Sequence, residues 1–344
     1  MTSIFSSRVA FEEAFKTGLS DLLAGYNELG VFILVLANAR FDHQSWERLA
    51  HQLEARYRLL SSDLRRHPRW FGLDDAKDDL QVFRRIMEIG LDGISPPECR
   101  RVGPWELQFN QLRGFRPPRM TQVETTGIRA PFDQRRFHFN KPFLRKEIMW
   151  QGGLFGRNGA IYYNKFPFVP LHALLVPEPK SRHPQYLQAA DHDYIWRLVN
   201  SLCRTLPCVG FGYNSFGAFA SINHLHFQMF QCQRPLPLTD GCWEHNGGNQ
   251  PYPVRCRRFG SVDESWRYID SLHRARSSYN LIYLPDTVYC IPRKSQGSYV
   301  HSGWTEGFAW HEMGGSFTTS RKADYLMLTA DALSAELARV RSSV

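Results

Sequence analysis

A change of texture near residue 105 constrains this chain more than any other feature. Before it, apolar residues recur at three- and four-residue spacing, as in VAFEEAFKTGLSDLLAGY and SWERLAHQLEARYRLL, which predicts mainly helices over residues 1 to about 95. After it come short aromatic and β-branched runs punctuated by Gly, Pro and Asn. The candidate strands are AIYYN (160–164), HALLVP (172–177), VGFGYN (209–214), HLHFQMF (224–230), LIYLP (281–285) and TVYCIP (287–292). Helices are expected near 185–206 and 263–276, and a third over KADYLMLTADALSAELARV. This order predicts an α+β body on a largely antiparallel sheet flanked by helices, with a helical N-terminal region at 1–100 and a second domain at 101–344.

With 344 residues, 43% hydrophobic and 14% aromatic, the chain can bury a large core, which excludes a disordered class. MTSIFSSRVAFEEAF lacks the basic-then-apolar order of a secretory signal. The run LGVFILVLANA at 29–39 is shorter than the roughly 20 residues of a spanning helix and is read as a buried strand or helix. Seven cysteines, odd in number and without a CxxC pair, predict reduced thiols in a cytoplasm and argue against a zinc ribbon. They leave open a site that uses histidines. A net charge of +9 suits an anionic ligand, but the basic residues are dispersed in short clusters such as RCRR at 255–258, which argues against a nucleic-acid partner. The Pro-, Gly- and Asn-rich stretch 233–262 is expected to be a long connection that covers or lines something.

The chemistry concentrates in SINHLHFQMFQC (221–232). His224, His226 and Gln228 alternate with Leu225, Phe227 and Met229, so strand geometry predicts a polar row on one wet face. A neutral imidazole is a competent nucleophile toward phosphorus, and His226 sits centrally in that row. Gln228 can donate to a phosphoryl oxygen but has no useful pKa, which favours transfer to an acceptor such as inorganic phosphate over simple hydrolysis. Upstream, YYNKFPFVPLHALLVPE brings Lys165 as a point charge and Asn164 as a hydrogen-bonding group for a base, a ribose or its own turn. The small residues of YNSFGAFAS (213–221) permit a ligand to approach the backbone.

YNS, GA and AS followed by NHLHFQ resemble the nucleotidyl-transferring branch of the histidine-triad superfamily. HLHFQ is most similar to the GDP-D-glucose and GDP-L-galactose phosphorylases. FNQLRGFRPPR (109–119), APFDQRRFHFNK (130–141), NKFPFVPLHALLVPE (164–178), GFAWHEMGG (307–315) and RKADY (321–325) extend the resemblance over roughly 105–330. It implies a HIT-like, galactose-1-phosphate uridylyltransferase-like fold and a double displacement. In that reaction a histidine takes the nucleotide from a nucleoside diphosphate sugar as a covalent adduct, expels sugar 1-phosphate, and phosphate releases the nucleoside diphosphate. By motif the resemblance makes His226 the nucleophile, Gln228 the phosphate-holding amide and His224 the preceding histidine. Asn164 and Lys165 match the pair near the nucleotide, and Asn214, Ser215, Ser221 and Asn223 match polar positions around the phosphates. His172 matches the histidine before the flanking strand; it or a carbonyl would hold the far nitrogen of His226. No cofactor and no catalytic metal are expected, because no Cys ligands lie near the nucleophile. The resemblance allows a homodimer. The helical first hundred residues have no counterpart in it.

Two alternatives stay open: a dinucleoside polyphosphate phosphorylase or hexose-1-phosphate nucleotidylyltransferase with the same chemistry, and a non-catalytic nucleotide- or RNA-binding protein. The aromatics Tyr162, Tyr163, Phe166 and Phe168 are read as core, with one ring available to stack on a purine. His138, His183, His192, His301 and His311 lack such company and are read as structural or exposed.

Overall fold

The computed structural model describes residues 3–67, 76–116 and 127–343, so the last three residues of FNQLRGFRPPR lie outside the described part. Four helices lead: α1 (Arg8–Gly25), α2 (Leu29–Ala39), α3 (His43–Arg66) and α4 (Ala76–Ile89). Side-chain caps set two of the starts. Ser7 accepts from the Ala10 amide and Asp42 from the Ser45 amide, satisfying N–H groups that a first turn leaves unpaired. In α1 the buried Phe11, Phe15, Leu19 and Leu22 make one apolar stripe. Helix α2 is buried all round, which resolves LGVFILVLANA as a core helix. Among the described residues no helix is long and apolar enough to cross a membrane.

Strands follow from residue 98. A small sheet joins β1 (Glu98–Val102), β2 (Trp105–Phe109) and a late strand, Ser316–Thr319, that pairs with β2 in parallel. The large sheet holds β3 (Ile148–Leu154), β4 (Arg157–Tyr163), β5 (Ala173–Pro177), β6 (Val209–Asn214), β7 (Phe227–Gln231), β8 (Arg257–Phe259), β9 (Ser278–Leu284) and β10 (Thr287–Arg293). Its order is β3-β4-β5-β7-β6-β9-β10-β8 and every neighbour pair is antiparallel. The late strand is β11. Helices α5 (Ala189–Leu202), α6 (Val262–Arg274), α7 (Trp310–Met313), α8 (Lys322–Met327) and α9 (Ala330–Arg339) complete the chain. The helix expected over KADYLMLTADALSAELARV is therefore two helices. Leu328 is extended between them and Thr329 caps the second by accepting from the Ala332 amide.

Period-two alternation sorts the sheet into two covered faces. Phe227, Met229, Phe211, Leu281 and Tyr283 join Phe15, Phe32 and Leu36 of the N-terminal helices in one apolar cluster. Phe230, Ile282 and Ile291 on the opposite face join Trp105, Trp243, Trp310 and Phe317 in a second. The expectation of a wet face at 224–230 is thus corrected twice. The strand begins at Phe227, and the polar row is covered, with His224 1% and His226 4% exposed. Alternation tells which residues share a face; what packs over that face is a long-range matter. The stretch 233–262 does cover the sheet: its Trp243 stacks on Trp105 at 5.3 Å, and it carries the short edge strand β8.

Because α2 and the sheet share one core, they should unfold together. Leu34→Ala is expected to lower stability by about 2–5 kcal/mol, with circular dichroism at helix and near-ultraviolet aromatic bands shifting to a common lower midpoint. Separate transitions for the two probes would contradict the shared core.

Candidate active site

The site starts where a strand ladder opens. Strands β6 and β7 pair Phe211 with Met229 and Gly212 with Gln228, and continuing that register would pair Asn214 with His226. Instead the side chain of Gln185 stands between them. Its Nε2 donates to the Asn214 carbonyl at 2.9 Å and to the His226 carbonyl at 3.2 Å, while its Oε1 accepts from the His226 amide at 2.9 Å. A side-chain amide thereby replaces a stretch of ladder and satisfies the buried backbone groups that the opening exposes.

Within the opening, His226 Nδ1 lies 2.8 Å from the His224 carbonyl oxygen. A carbonyl only accepts, so Nδ1 carries the proton and the Nε2 lone pair is left unprotonated. Of the two candidates for holding the far nitrogen, the carbonyl does so and His172 does not. Among the described residues Nε2 makes no hydrogen bond. Burial lowers the His226 pKa to about 4 against the opposing His224 contact, so the ring is neutral at pH 7. His224 is lowered to about 3, first by burial and then by His226 and His138. Its Nδ1 accepts from the Phe139 amide at 3.3 Å. The cover on this row is the segment 130–140. Phe139 lies 5.3 Å from the His226 ring, and Phe132 5.2 Å from His224.

Gln228, half-buried, has its amide oriented by two donors. His172 Nε2 lies 3.1 Å and Trp310 Nε1 2.8 Å from Oε1. Indole N–H can only donate, which identifies that atom as the carbonyl oxygen and turns the NH2 group the other way. His172, fully buried and held well below its ordinary pKa by burial, is neutral. With Nε2 donating to Gln228, its Nδ1 accepts from Asn164 Nδ2 at 3.3 Å. Asn164, His172, Gln228 and Trp310 thus form one directed hydrogen-bond chain. Gly212 makes room for it, since a Cβ there would sit 2.3 Å from the buried Trp310 ring.

The other predicted residues are placed differently. Asn214 Oδ1 accepts from Asn280 Nδ2 at 2.7 Å and from the Trp310 amide at 2.9 Å, so it holds α7 to the sheet. Ser215 Oγ accepts from the Tyr279 amide at 2.9 Å. Asn223 braces the cover by donating to the Ala130 and Pro131 carbonyls at 3.1 and 2.9 Å. Lys165 Nζ is paired with both carboxylate oxygens of Asp79 in α4 at 3.1 Å, so it is a bound cation and not a free point charge. Asp79, 86 residues away, carries no local signal of that pairing. Ser221 lines a cavity of about 80 Å³ together with Arg113, Arg116, Phe219, Glu306 and Glu312. Burial lowers the Arg113 pKa, and brings Arg116 down to about 10, with Arg113 beside it and Glu306 opposing.

Sequence reasoning missed Gln185, Trp310 and Phe139. Trp310 and Phe139 lie in quoted segments, GFAWHEMGG and APFDQRRFHFNK, without a chemical role to single them out. Tyr162, Tyr163 and Phe168 are core, as read. His138 and His311 are buried beside the site: His138 lies 6.3 Å from the His224 ring, and His311 packs 4.8 Å from Phe168.

Residues 105–230 match the family described as GDPGP1-like, N-terminal domain. The chain is 32% identical over 133 residues to GDP-D-glucose phosphorylase 1 of Danio rerio, covering 38% of this chain and 37% of that protein. It is 33% identical over 141 residues to GDP-D-glucose phosphorylase 1 of Homo sapiens, covering 38% and 35%. GDP-L-galactose phosphorylase 1 of Arabidopsis thaliana is 29% identical over 151 residues, covering 38% and 32%. The chain thus spans about a third of the length of these relatives. Among solved structures, yeast Ap4A phosphorylase Apa2 in complex with Ap4A aligns with a TM-score of 0.49 at 15% identity, covering 77% of this chain and 97% of that one.

Buried neutral imidazoles make the fold acid-sensitive. The unfolded chain takes up protons near pH 6.5 while native His226 waits until about pH 4, so stability is full above that window and falls as pH drops through it. His226 alone is expected to remove on the order of 3 kcal/mol, with His224 and His311 adding to the loss. Thermal midpoints measured stepwise from pH 7 to 4 should fall steadily; a flat profile would contradict the burial of these rings.

Proposed function

Because residues 105–230 belong to the GDPGP1-like N-terminal domain family, we propose that this chain phosphorolyses a nucleoside diphosphate sugar, a GDP-hexose, through a nucleotide adduct on His226. The observation that carries the reading is the pinned tautomer: Nδ1–H on the His224 carbonyl at 2.8 Å, with the Nε2 lone pair available. Nε2 attacks the α-phosphorus, and the bond from that phosphorus to the bridging oxygen breaks. Sugar 1-phosphate leaves with the electron pair. The cation that forms on the ring is steadied by the same carbonyl. A phosphate oxygen then attacks the adduct, the P–N bond breaks, nucleoside diphosphate departs, and Nε2 recovers its lone pair.

In this reading Gln228 donates its NH2 to a non-bridging oxygen of the transferred phosphoryl group, where charge builds in the transition state. His172 and Trp310 act as positioning residues by holding Oε1 away from it. No side chain in the row titrates near neutrality, which supports transfer to phosphate in preference to general-base activation of water. Seven unpaired cysteines support a reducing, cytoplasmic compartment.

His226→Ala is expected to lower phosphorolysis on the order of 10⁴-fold or more. Wild-type protein given GDP-hexose labelled in the guanosine moiety without phosphate should retain label after denaturation, and a parallel, undenatured sample should release it as GDP when phosphate is added. Turnover by the alanine variant, or cleavage of diadenosine tetraphosphate with every GDP-, ADP- and UDP-sugar untouched, would defeat the proposal. Trp310→Phe keeps an aromatic ring, smaller than the indole, and removes one donor, so kcat should fall about tenfold with KM little changed. A rise in KM alone would mean that Gln228 is not held for the transition state.

A further inference from the structure

A second concave site lies away from the His226 row. The turn between α6 and β9, the end of β10 and the segment after α9 border an open depression of about 490 Å³, within the range of small-ligand pockets. Four cationic residues line it, Arg276, Arg293, Lys294 and Arg341, with no carboxylate side chain among the described lining residues. Two of the four serve the fold. Lys294 Nζ donates to the Arg339 carbonyl at 3.0 Å, and the Arg293 guanidinium turns inward to the Phe308 carbonyl and the Tyr299 hydroxyl. Arg276 and Arg341 are exposed, and among the described residues neither side chain makes a hydrogen bond or ion pair. Serine hydroxyls complete the lining, with Ser278 Oγ and Ser295 Oγ 3.0 Å apart.

Like charges gathered in a concavity repel one another and focus a positive potential, and an anion there relieves the repulsion. Guanidinium forks beside hydroxyl donors match phosphate oxygens in both charge and geometry. We propose that this pocket binds a small phosphate-bearing anion at a site separate from the reaction centre. Arg293 stands between this pocket and the cavity that holds Ser221. It lines this pocket, while its guanidinium stacks 5.0 Å from Phe219, which lines the cavity that holds Ser221. The Gln296 amide also donates to the Gly217 carbonyl at 2.7 Å, tying the pocket rim to the turn after β6.

Calorimetric titration of the full chain with inorganic pyrophosphate tests this. A binding event is expected that survives in His226→Ala, weakens about tenfold or more in the double variant Arg276→Glu with Arg341→Glu, and is weakened less in Arg276→Gln with Arg341→Gln. Both residues are exposed, so thermal midpoints of these variants should match wild type, and a loss of binding cannot then be ascribed to unfolding. Equal pyrophosphate affinity in wild type and the double variant, no saturable binding by wild type, or binding confined to an RNA oligonucleotide with none to pyrophosphate would each overturn the proposal.

Discussion

The Gln185 amide between Asn214 and His226 is the contact on which the rest of the site depends. Were β6 and β7 to pair to their ends, the His226 backbone would be consumed in a flat ladder. The two strands instead part beyond Gly212 and Gln228, and Gln185 supplies one acceptor and a two-pronged donor to the three backbone groups left in the gap. Each of those groups, buried and unpaired, would cost about 1–3 kcal/mol. One side chain from the segment before α5 therefore makes a local opening of a buried sheet tolerable. It also holds the backbone that carries the His224 carbonyl to His226.

Burial does more at this centre than remove apolar surface. It keeps every imidazole in the row neutral, so each hydrogen-bonded ring nitrogen has one defined role as donor or acceptor, and the hydrogen-bond chain has one direction. Asn164 donates to His172, His172 donates to Gln228, and Trp310 donates to the same oxygen. Protonating His172 would remove the acceptor that Asn164 addresses. The same dryness that sets the tautomers makes the row costly to charge, so specific geometry and acid sensitivity have one cause.

The strands that positions 160–164, 172–177, 209–214, 281–285 and 287–292 foretold are present as β4, β5, β6, β9 and β10, because short aromatic and β-branched runs bounded by Gly, Pro and Asn suit a sheet covered on both faces. Strands β1 and β3 were not legible: ECRRV is mostly charged, and IMWQGGL carries a Gly-Gly pair that weakens a strand pattern. At the site, the row His224, His226 and Gln228 was legible as residues and misread as a surface, because its cover comes from Phe132 and Phe139 some ninety positions upstream. Lys165 read as an available cation for the same reason. Its carboxylate partner, Asp79, stands on a helix with a different local pattern. Periodicity carries the face of an element, and only the assembled fold carries the neighbour.

This non-locality bears on where the functional unit ends. The family match stops at residue 230, yet Gln228 receives one of its two donors from Trp310, and Asn214 receives both of its donors from Asn280 and Trp310. At the other end, α2 reaches the matched segment through Asn38 Nδ2, which donates to the Asn164 carbonyl at 2.9 Å, and α4 through the Asp79 pair with Lys165. Gly30 in α2 is part of that second joint, since a Cβ there would lie 2.5 Å from the Asp79 carboxylate and 3.0 Å from Lys165 Nζ. The 105–230 segment supplies the histidines, but the orientation of Gln228 and the setting of the Asn164–Lys165 pair come from elements on both sides of it. A chemistry that needs both an unprotonated Nε2 and a directed amide therefore belongs to the sheet together with its N-terminal helices and the Trp310 turn, and to no shorter stretch.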